Sequence, residues 1–478
     1  MDLLLIDPPR RYWGFAGGGG FFAQPLGLAH LAGFLDKNKT EVGILDCNME
    51  KIDWDGLRDE IKKRDPWIVG VTSSMTCFVP DSFRCLELAK EINPEILTLG
   101  GGLQVSLTPD ESFEKCKSLD LIVRGDGEFA CYEAISELRR KTPHLERIDG
   151  LSFRRDGEIV HNKERPPISD LDELPFPAWH LLPMDKYRLP VIPPKWGNFA
   201  VVVTTRGCPY NCKFCSPKIG QKPYREMSAG KAVDMIEELN SEYATKAFWV
   251  NDLSFNVNRS RTEQFLNEII ERGLKIRMAI DGTRTDLLVR DKDLIPKMKK
   301  AGVFMVNLGV ESDSNQDLEL YNKETTAEKA KEAVRLLKKN KIHAWAFMMV
   351  GNWNHDEEDI HNILDFAKEL DPLVTIFALV TPVPGTEFYE KMTTKGLIED
   401  LDWSNYDFAH PVMRTEHLSR DQILELLWKV YLGFYKRPRK IIKHAIFGDA
   451  FSRYTYKTSR GMGQMFVRST RQLKEGEL

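Results

Sequence analysis

The chain has 478 residues, of which 42% are hydrophobic and 29% charged, and its formal net charge is −4. At roughly 150 residues per domain, this length predicts two to four domains with ample core, and the charge balance gives no general argument for binding nucleic acid. The apolar run LLLID at the N-terminus is too short for a signal peptide, and no run of ~18 apolar residues follows. We therefore expect a cytoplasmic protein.

Residues 1–145 alternate between short apolar runs and helical stretches. Strands are predicted at 3–7, 42–47, 67–74, 96–102 and 119–128, with helices at 25–38, 54–65, 83–93 and 130–141. This alternation is typical of an α/β domain with a doubly wound parallel sheet, Rossmann-like or flavodoxin-like. Such sheets bind ligands beyond the carboxyl ends of their strands.

Small and polar residues gather at these predicted strand ends. They are Ser73, Ser74, Gly100, Gly101, Gly102, Gly125, Gly127 and Glu128. Each could belong to a tight turn, but glycine also permits a ligand to approach the backbone closely. No G-x-G-x-x-G follows the first strand, which argues against a dinucleotide. Together these residues predict one large flat ligand across the sheet edge.

Residues 146–198 are rich in proline and predict an ordered, extended linker. Alternation resumes over 199–412, with strands predicted at 199–207, 246–252, 275–282, 304–312, 343–351 and 375–386. About six strand–helix units predict a full or partial (β/α) barrel, whose chemistry lies at the carboxyl ends of its strands. Residues 413–478 are predicted to be basic and mainly helical.

Cys208, Cys212 and Cys215 follow the first barrel strand with the spacing C-x3-C-x2-C. Three thiolates suit an iron–sulfur cluster in which one iron has no protein ligand, so that a small molecule fills the open position. Zinc with a remote fourth ligand is the alternative. Free thiols rather than a disulfide framework are predicted for the five scattered cysteines, which are Cys47, Cys77, Cys85, Cys116 and Cys131.

The cysteine spacing, with an aromatic residue before the last cysteine, resembles the signature of the radical S-adenosylmethionine (SAM) superfamily. Four further segments resemble those of the family, namely VNDLSFN, DGTRTD, GVES and TPVPGT. The resemblance implies that the three cysteines hold a [4Fe-4S] cluster and that SAM completes the open iron. It implies SAM contacts from Phe214, Asn251, Asp252, Arg284, Glu311 and Pro384. A buried ion pair between Arg284 and Glu311 is the structural alternative, and no catalytic residue is expected beyond the cofactor ligands.

The order of the domains, with GGLQVS and RGDGE in the first, resembles the cobalamin-binding subgroup of this superfamily. The resemblance implies that cobalamin contacts the strand-end residues named above, together with Gln104 and Ser106. The motif D-x-H-x-x-G is absent after the first strand, and Gln104 stands where many members have histidine, so we expect cobalamin without histidine on cobalt. Trp13, Met75 and Cys77 are candidates for its lower face, or else core residues.

The resemblance implies a cobalamin-dependent radical SAM C-methyltransferase. A 5′-deoxyadenosyl radical would abstract hydrogen from an unactivated sp3 carbon, and methylcobalamin would donate the methyl group. The expected substrate is a protein or peptide side chain, for example a glutamine of methyl-coenzyme M reductase, and the expected electron donor is a ferredoxin or flavodoxin. The alternatives are a small-molecule substrate, a radical cyclase or lipid-modifying enzyme (porphyrin cyclase-like, hopanoid or tetraether type) without net methyl transfer, and a cofactor-binding sensor.

The C-terminal region carries a strong local positive charge. Eleven Lys or Arg residues and one acidic residue, Asp449, lie between Phe434 and Lys474. This pattern predicts peripheral contact with an anionic membrane, a nucleic acid or an acidic protein, or else a solvated cap over the barrel.

Overall fold

The computed structural model describes residues 1–10, 23–216 and 223–474. Trp13 and most of the glycine-rich segment before the first helix therefore lie outside the described residues. The chain folds as two compact units, the first built mainly from Gln24–Tyr187 and the second mainly from Glu226–Leu478.

The first unit contains a seven-stranded sheet. In chain order its strands are β1 Leu3–Asp7, β2 Val42–Asp46, β3 Ile68–Thr72, β4 Leu97–Gly101, β5 Leu121–Val123, β6 Leu151–Arg155 and β7 Glu158–His161. The spatial order is β2-β1-β3-β4-β5-β6-β7, and the first five strands are parallel. The order 2-1-3-4-5 is that of flavodoxin-like doubly wound folds, which confirms this part of the predicted fold.

The last two strands lie where the sequence pattern predicts only an extended linker. β6 pairs antiparallel with β5 and with β7, so the sheet is mixed rather than purely parallel. The turn between β6 and β7 is Asp156-Gly157, with φ of 51° and 87°. Positive φ at both central residues is typical of the type I′ turn of two-residue hairpins. The D-G dipeptide in LSFRRDGEIVH is therefore the local signal for this hairpin.

Helices connect the parallel strands of the first unit. They are Leu26–Lys37, Cys47–Glu50, Trp54–Arg64, Val79–Ile92, Leu103–Leu107, Pro109–Lys115 and Gly127–Leu138. Local capping explains the bounds of Trp54–Arg64, because Asp53 accepts a hydrogen bond from Gly56 N at 2.9 Å and Asp65 ends the helix in the left-handed conformation. β1 is buried along its whole length, so it lies in the core of the unit.

The strands continue along the chain with β8 Asn198–Val202, the two-residue strands β9 Thr205–Arg206 and β10 Arg225–Glu226, then β11 Thr245–Val250, β12 Arg277–Arg284, β13 Val303–Glu311, β14 His343–Val350 and β15 Val374–Leu379. Six of these form one parallel sheet in the order β15-β14-β13-β12-β11-β8. Successive parallel strands with helices between them make a curled half-barrel, which confirms the predicted partial barrel.

The helices of the second unit follow the predicted alternation and then dominate its C-terminal part. They are Ala229–Glu242, Arg259–Glu271, Thr285–Arg290, Ile295–Lys300, Asn315–Leu320, Ala327–Lys339, Glu357–Leu370, Glu387–Thr394, Arg420–Tyr435, Pro438–Ile442 and Ala450–Lys474. The mainly helical C-terminal region is thus confirmed. Within the described ranges, no helix combines the length and the apolar character needed to cross a membrane.

Two tyrosines of helix Arg420–Tyr435 form hydrogen bonds with the free backbone groups of the edge strand β15. Tyr435 Oη donates to Thr375 O at 2.8 Å and accepts from Thr375 N at 3.0 Å. Tyr431 Oη bonds both backbone groups of Phe377 in the same way, at 3.1 and 3.2 Å. Unpaired backbone groups on an edge strand otherwise offer a template for another chain. The helix therefore protects this edge of the half-barrel.

Candidate functional site

The three cysteines lie in the loop that follows β8, after the carboxyl end of that strand. Cys212 is buried, whereas Cys208 and Cys215 are half-buried, and all three are free thiols. Cys208 Sγ lies 3.3 Å from Ser254 Oγ. Across the described ranges, no group of three or more His, Cys, Asp or Glu side chains is already arranged around a metal position. The fit to an iron–sulfur cluster therefore rests on the chemistry of the donor set, three soft thiol ligands within eight residues.

Asp252 fixes the start of the cysteine loop. Its carboxylate accepts hydrogen bonds from Thr204 N and Thr204 Oγ1, both at 2.6 Å, and from Thr205 N at 3.0 Å. The residue is 2% exposed, and burial raises its pKa while these hydrogen bonds oppose the shift. Asp252 therefore orders Thr204 and Thr205, and its SAM contact stays a prediction; the neighbouring Asn251, also predicted to contact SAM, is exposed just after β11.

Arg284 holds the same loop through an aromatic ring. Its guanidinium carbon lies 3.7 Å from the centre of the Tyr210 ring. Its Nη2 donates to the carbonyl of Lys323 and, at 3.2 Å, to that of Glu324, and its Nε donates to Asp286 Oδ1 at 3.0 Å. Arg284 thus ties the cysteine loop to the turn that contains Lys323.

Glu311 pairs with Lys323, and the alternative of an ion pair between Glu311 and Arg284 is wrong. Lys323 Nζ donates to Glu311 Oε1 at 2.5 Å, and the two side chains are 10% and 11% exposed. Glu311 has a φ of 67°, a conformation that non-glycine residues rarely adopt and that clusters at functional sites. Gly309 leaves room for the pair, because a Cβ there would lie 2.6 Å from Glu311 Oε1 and 2.8 Å from Lys323 Nζ.

The turn at residues 321–324 is a part of the site that the sequence analysis missed. Tyr321 O accepts a hydrogen bond from Lys213 N at 2.9 Å, and Asn322 Nδ2 donates to Asn211 O at 3.1 Å. Asn322 has a φ of 54°, which lets the turn fold back onto the cysteine loop. The segment YNKE resembles none of the family motifs named above. The one sequence feature that indicates a turn here is the Asn-Lys pair between two helical stretches.

Phe214, predicted as a SAM contact, packs edge-on against Tyr321 with 5.4 Å between ring centroids. Lys323 Nζ lies 5.9 Å from the centre of the Phe214 ring, so Lys323 connects Phe214 with Glu311. Pro384 is buried in the segment between β15 and the next helix. A cavity of about 240 Å³ adjoins these elements and is lined by Lys213, Leu320, Tyr321, Asn352, Trp353, Glu387, Phe388 and Lys391.

In the first unit, the predicted cobalamin residues follow β3, β4 and β5. Ser73 is 1% exposed, and its hydroxyl has no hydrogen-bond partner in the part of the chain that the structure describes; Ser74 beside it is exposed. Gly102 has a φ of 94°, and a Cβ there would lie 2.8 Å from both Ser73 N and Thr72 Oγ1. Buried hydroxyls are normally hydrogen-bonded, so the orphaned Ser73 hydroxyl at a flavodoxin-like sheet edge fits contact with a large polar ligand.

Other predicted cobalamin residues have structural partners. Gln104 is 2% exposed, and its Oε1 accepts a hydrogen bond from Thr76 Oγ1 at 2.7 Å. Ser106 Oγ donates to the carbonyl of Gly102 at 2.8 Å. Gly100 and Gly101 belong to β4 itself rather than to the loop after it. These contacts order the sheet edge, and the residues remain predictions as ligand contacts.

The segment RGDGE forms the start of helix Gly127–Leu138. Gly125 has a φ of 78° with open space around it, and Glu128 is buried. Asp126 forms an ion pair with Arg225 and accepts a hydrogen bond from Ile168 N at 2.9 Å. Asp126 thus holds the helix start in place, and Gly125, Gly127 and Glu128 remain predictions as ligand contacts.

Two family profiles match the chain at the places where the two sheets lie. The B12 binding domain matches residues 16–135, and the radical SAM superfamily matches residues 202–367. An uncharacterized methyltransferase of Pyrococcus horikoshii is 33% identical over 449 residues, which cover 93% of this chain and 94% of that protein. The chain belongs to the cobalamin-binding radical SAM enzymes. Its cofactors are a [4Fe-4S] cluster, SAM and cobalamin, so the zinc alternative is wrong. The similarity to a methyltransferase over nearly the whole chain shows an enzyme, so the sensor alternative is wrong as well.

Further relatives of these radical SAM enzymes differ in their chemistry. The anaerobic magnesium-protoporphyrin IX monomethyl ester cyclase of Rubrivivax gelatinosus is 31% identical over 439 residues, which cover 91% of this chain and 77% of the cyclase. The methyltransferase TsrM of Kitasatospora setae, solved with cobalamin and a [4Fe-4S] cluster, superposes with a TM-score of 0.70 at 19% identity, covering 99% of this chain and 100% of TsrM. The last match shows a shared fold.

Proposed function

We propose that this enzyme is a C-methyltransferase that places a methyl group on an unactivated sp3 carbon. The observation that carries the proposal is that one chain contains both a three-cysteine loop on a half-barrel and a flavodoxin-like sheet. The strand ends of that sheet carry Gly102 and the Ser73 hydroxyl, which has no hydrogen-bond partner among the described residues. The 33% identity to a methyltransferase over 93% of the chain supports it. When bound, the cluster and SAM supply a 5′-deoxyadenosyl radical, and cobalamin supplies the methyl group.

The residues of the half-barrel would bind and orient these groups. Cys208, Cys212 and Cys215 would hold the cluster as thiolates. Burial raises the pKa of Cys212, while Lys323 and Arg284 oppose that shift. These two cations stabilise negative charge near the thiols. No side chain is required as a general acid or base, because the cofactors supply the chemistry. The protein would position the reacting groups and exclude water.

The residues of the flavodoxin-like sheet would hold cobalamin without a histidine on cobalt. The segment after β1 reads DPPRRYWG, which lacks the histidine of the D-x-H-x-x-G motif. Cys77 is buried and Met75 half-buried, and both remain candidates for the lower face. Electron paramagnetic resonance of the cob(II)alamin-loaded enzyme tests this proposal. Nitrogen splitting of the cobalt signal that changes when the protein is labelled with 15N-histidine would contradict it.

The substrate we propose is a carbon of a protein or peptide side chain, of which a glutamine of methyl-coenzyme M reductase is one example. The named substrates of several relatives are small molecules, such as hopanoid for a methylase of Methylococcus capsulatus that is 26% identical. The anaerobic enzyme would therefore be incubated with deuteromethyl SAM, a reduced flavodoxin or ferredoxin and cell extract. Label in peptides supports the proposed substrate, and label only in small molecules overturns it. Cys212→Ala serves as the inactive control.

A radical cyclase is the second candidate, because the Rubrivivax cyclase is nearly as similar to this chain as the methyltransferase is. A cyclase and a methyltransferase need the same cluster and the same half-barrel. They differ in the fate of the SAM methyl group, which a cyclase does not transfer. The labelling experiment separates them, since a cyclase yields an oxidised product without deuterium.

A further inference from the structure

Three large hydrophobic side chains are exposed within one short segment near the C-terminal end of the second unit. Ile442 is 53% exposed, Ile446 63% and Phe447 81%. In the described ranges, five large hydrophobic residues are exposed in all, and the other two are Leu253 and Leu401. Contiguous exposed apolar groups of this kind mark sites of interaction. We refer to Ile442, Ile446 and Phe447 as the apolar tip.

The segment that carries the apolar tip is fixed on its inner side. Lys440 is 3% exposed, donates to the carbonyl of Pro372 and lies 3.1 Å from Asp371 Oδ1. The His444 ring stacks on Tyr456 with 4.6 Å between centroids. The segment is therefore anchored to the body of the unit, and the exposure of the apolar tip is not the fraying of a chain end.

Basic residues alternate with the apolar tip along the chain. Arg439 lies three residues before Ile442 in helix Pro438–Ile442, so these two are neighbours on the helical surface, and Lys443 directly follows Ile442. Lys436, Arg439 and Arg453 are exposed, and no acidic side chain in the described ranges pairs with them. Lys443 is 56% exposed while it contacts Asp371 at 2.8 Å. We refer to Lys436, Arg439, Lys443 and Arg453 as the basic collar.

The acidic groups near this surface are few and already engaged. Asp371 is shared by Arg437, Lys440 and Lys443. Asp449 lies 3.2 Å from His343 Nε2 and is the one acidic residue between Phe434 and Lys474. The surface around the apolar tip therefore carries a clear excess of positive charge.

We propose that the apolar tip and basic collar dock this protein on an anionic lipid bilayer. The tip inserts at the boundary between headgroups and acyl chains, and the collar faces the lipid phosphates. A nucleic acid offers phosphates to the collar but no apolar partner for two isoleucines. A stable protein interface uses ~20–30 residues on each side, whereas the apolar tip has three exposed side chains. Charge complementarity and the small apolar area together favour a bilayer.

The test is co-sedimentation of the full-length protein with phosphatidylcholine vesicles that do or do not contain phosphatidylglycerol. The expected result is binding to the anionic vesicles that weakens as salt is added and is much weaker on neutral vesicles. The variant Ile446→Ser/Phe447→Ser is expected to lower the partition coefficient at least tenfold, and Arg439→Gln/Arg453→Gln is expected to lower it and reduce its salt dependence. The matched control is Leu401→Ser, which removes a 67% exposed leucine elsewhere and is expected to bind like the wild type.

Thermal unfolding and 5′-deoxyadenosine formation verify that each variant is folded and active, since none of these residues belongs to the site around the cysteines. Absence of binding to anionic vesicles overturns the proposal. So does wild-type binding by the tip variant, or an equal loss in Leu401→Ser. If light scattering shows a wild-type dimer that dissociates in the tip variant, the occupant is a second copy of the chain. Binding to nucleic acid but not to vesicles would identify a nucleic acid as the occupant instead.

Discussion

Lys323 Nζ lies 2.5 Å from Glu311 Oε1, and it connects a turn without any sequence motif to a strand end that carries one. Glu311 is held in the left-handed region, with a φ of 67°. A strained residue whose carboxylate is paired and nearly buried indicates a conformation that the surrounding structure enforces. The pair is therefore a central element of the site beside the cysteine loop.

Breaking this pair is expected to destabilise the protein strongly. Lys323→Met leaves the buried Glu311 carboxylate without its partner, which typically costs about 3–5 kcal/mol. The double variant Glu311→Gln/Lys323→Met is expected to recover part of this loss. The control is Arg335→Met, which breaks an exposed pair with Glu332 and is expected to cost below ~1 kcal/mol. Urea unfolding measures these values, and equal losses in Lys323→Met and Arg335→Met would contradict the buried-pair account.

Replacing Asp252 is expected to reduce iron retention as well as stability. Asp252→Ala leaves Thr204 N, Thr204 Oγ1 and Thr205 N without their acceptor, and each unsatisfied buried donor costs about 1–3 kcal/mol. Asp252→Asn keeps one carbonyl oxygen and is expected to lie between Asp252→Ala and the wild type. Iron content after anaerobic reconstitution is the measurement. Full iron content with weakened SAM binding would instead assign Asp252 to direct contact with SAM.

Asp46 is expected to make the free energy of unfolding of the first unit depend on pH. Burial and the neighbouring Asp7 raise the pKa of Asp46 to about 6. A carboxyl group with a raised pKa in the folded state favours folding at low pH, and this contribution is lost as the pH rises from about 4 through 6. Asp46→Asn is therefore expected to exceed the wild type in unfolding free energy at pH 8 by on the order of 3 kcal/mol and to match it near pH 4. A difference that does not change between these pH values would refute the shift.

The tyrosine hydroxyls on β15 are expected to contribute to the stability of the half-barrel. Tyr435→Phe removes the group that bonds both Thr375 N and Thr375 O, so both buried backbone groups lose a partner at about 1–3 kcal/mol each. Tyr454→Phe is the control, because no hydrogen bond of its hydroxyl is present in the described structure. Its effect is expected to stay within ~0.5 kcal/mol. Equal unfolding free energies for the two variants would show that water replaces the lost bonds.

Periodicity and spacing predicted the parallel strands of both sheets and the cysteine loop, since strand–helix alternation and closely spaced ligands are local properties of the sequence. The hairpin at Asp156-Gly157 was also readable in its turn dipeptide, but the surrounding prolines favoured a linker. The partner of Glu311 was not predictable, because Lys323 reaches it only after a turn with positive φ at Asn322. The contacts of Asp252 were not predictable for a similar reason, because the donors that its carboxylate accepts from lie 48 and 47 residues away in sequence.

The ratio of S-adenosylhomocysteine to 5′-deoxyadenosine in the labelled extract reaction distinguishes methyl transfer from cyclisation. A cobalamin-dependent C-methyltransferase uses one SAM to supply the methyl group and a second to supply the radical. We therefore predict that, above the background that the extract gives with Cys212→Ala, the two products form in equal amounts, with one transferred deuteromethyl group for each 5′-deoxyadenosine. 5′-Deoxyadenosine formed without S-adenosylhomocysteine and without transferred label would contradict methyl transfer and identify the enzyme as a radical cyclase.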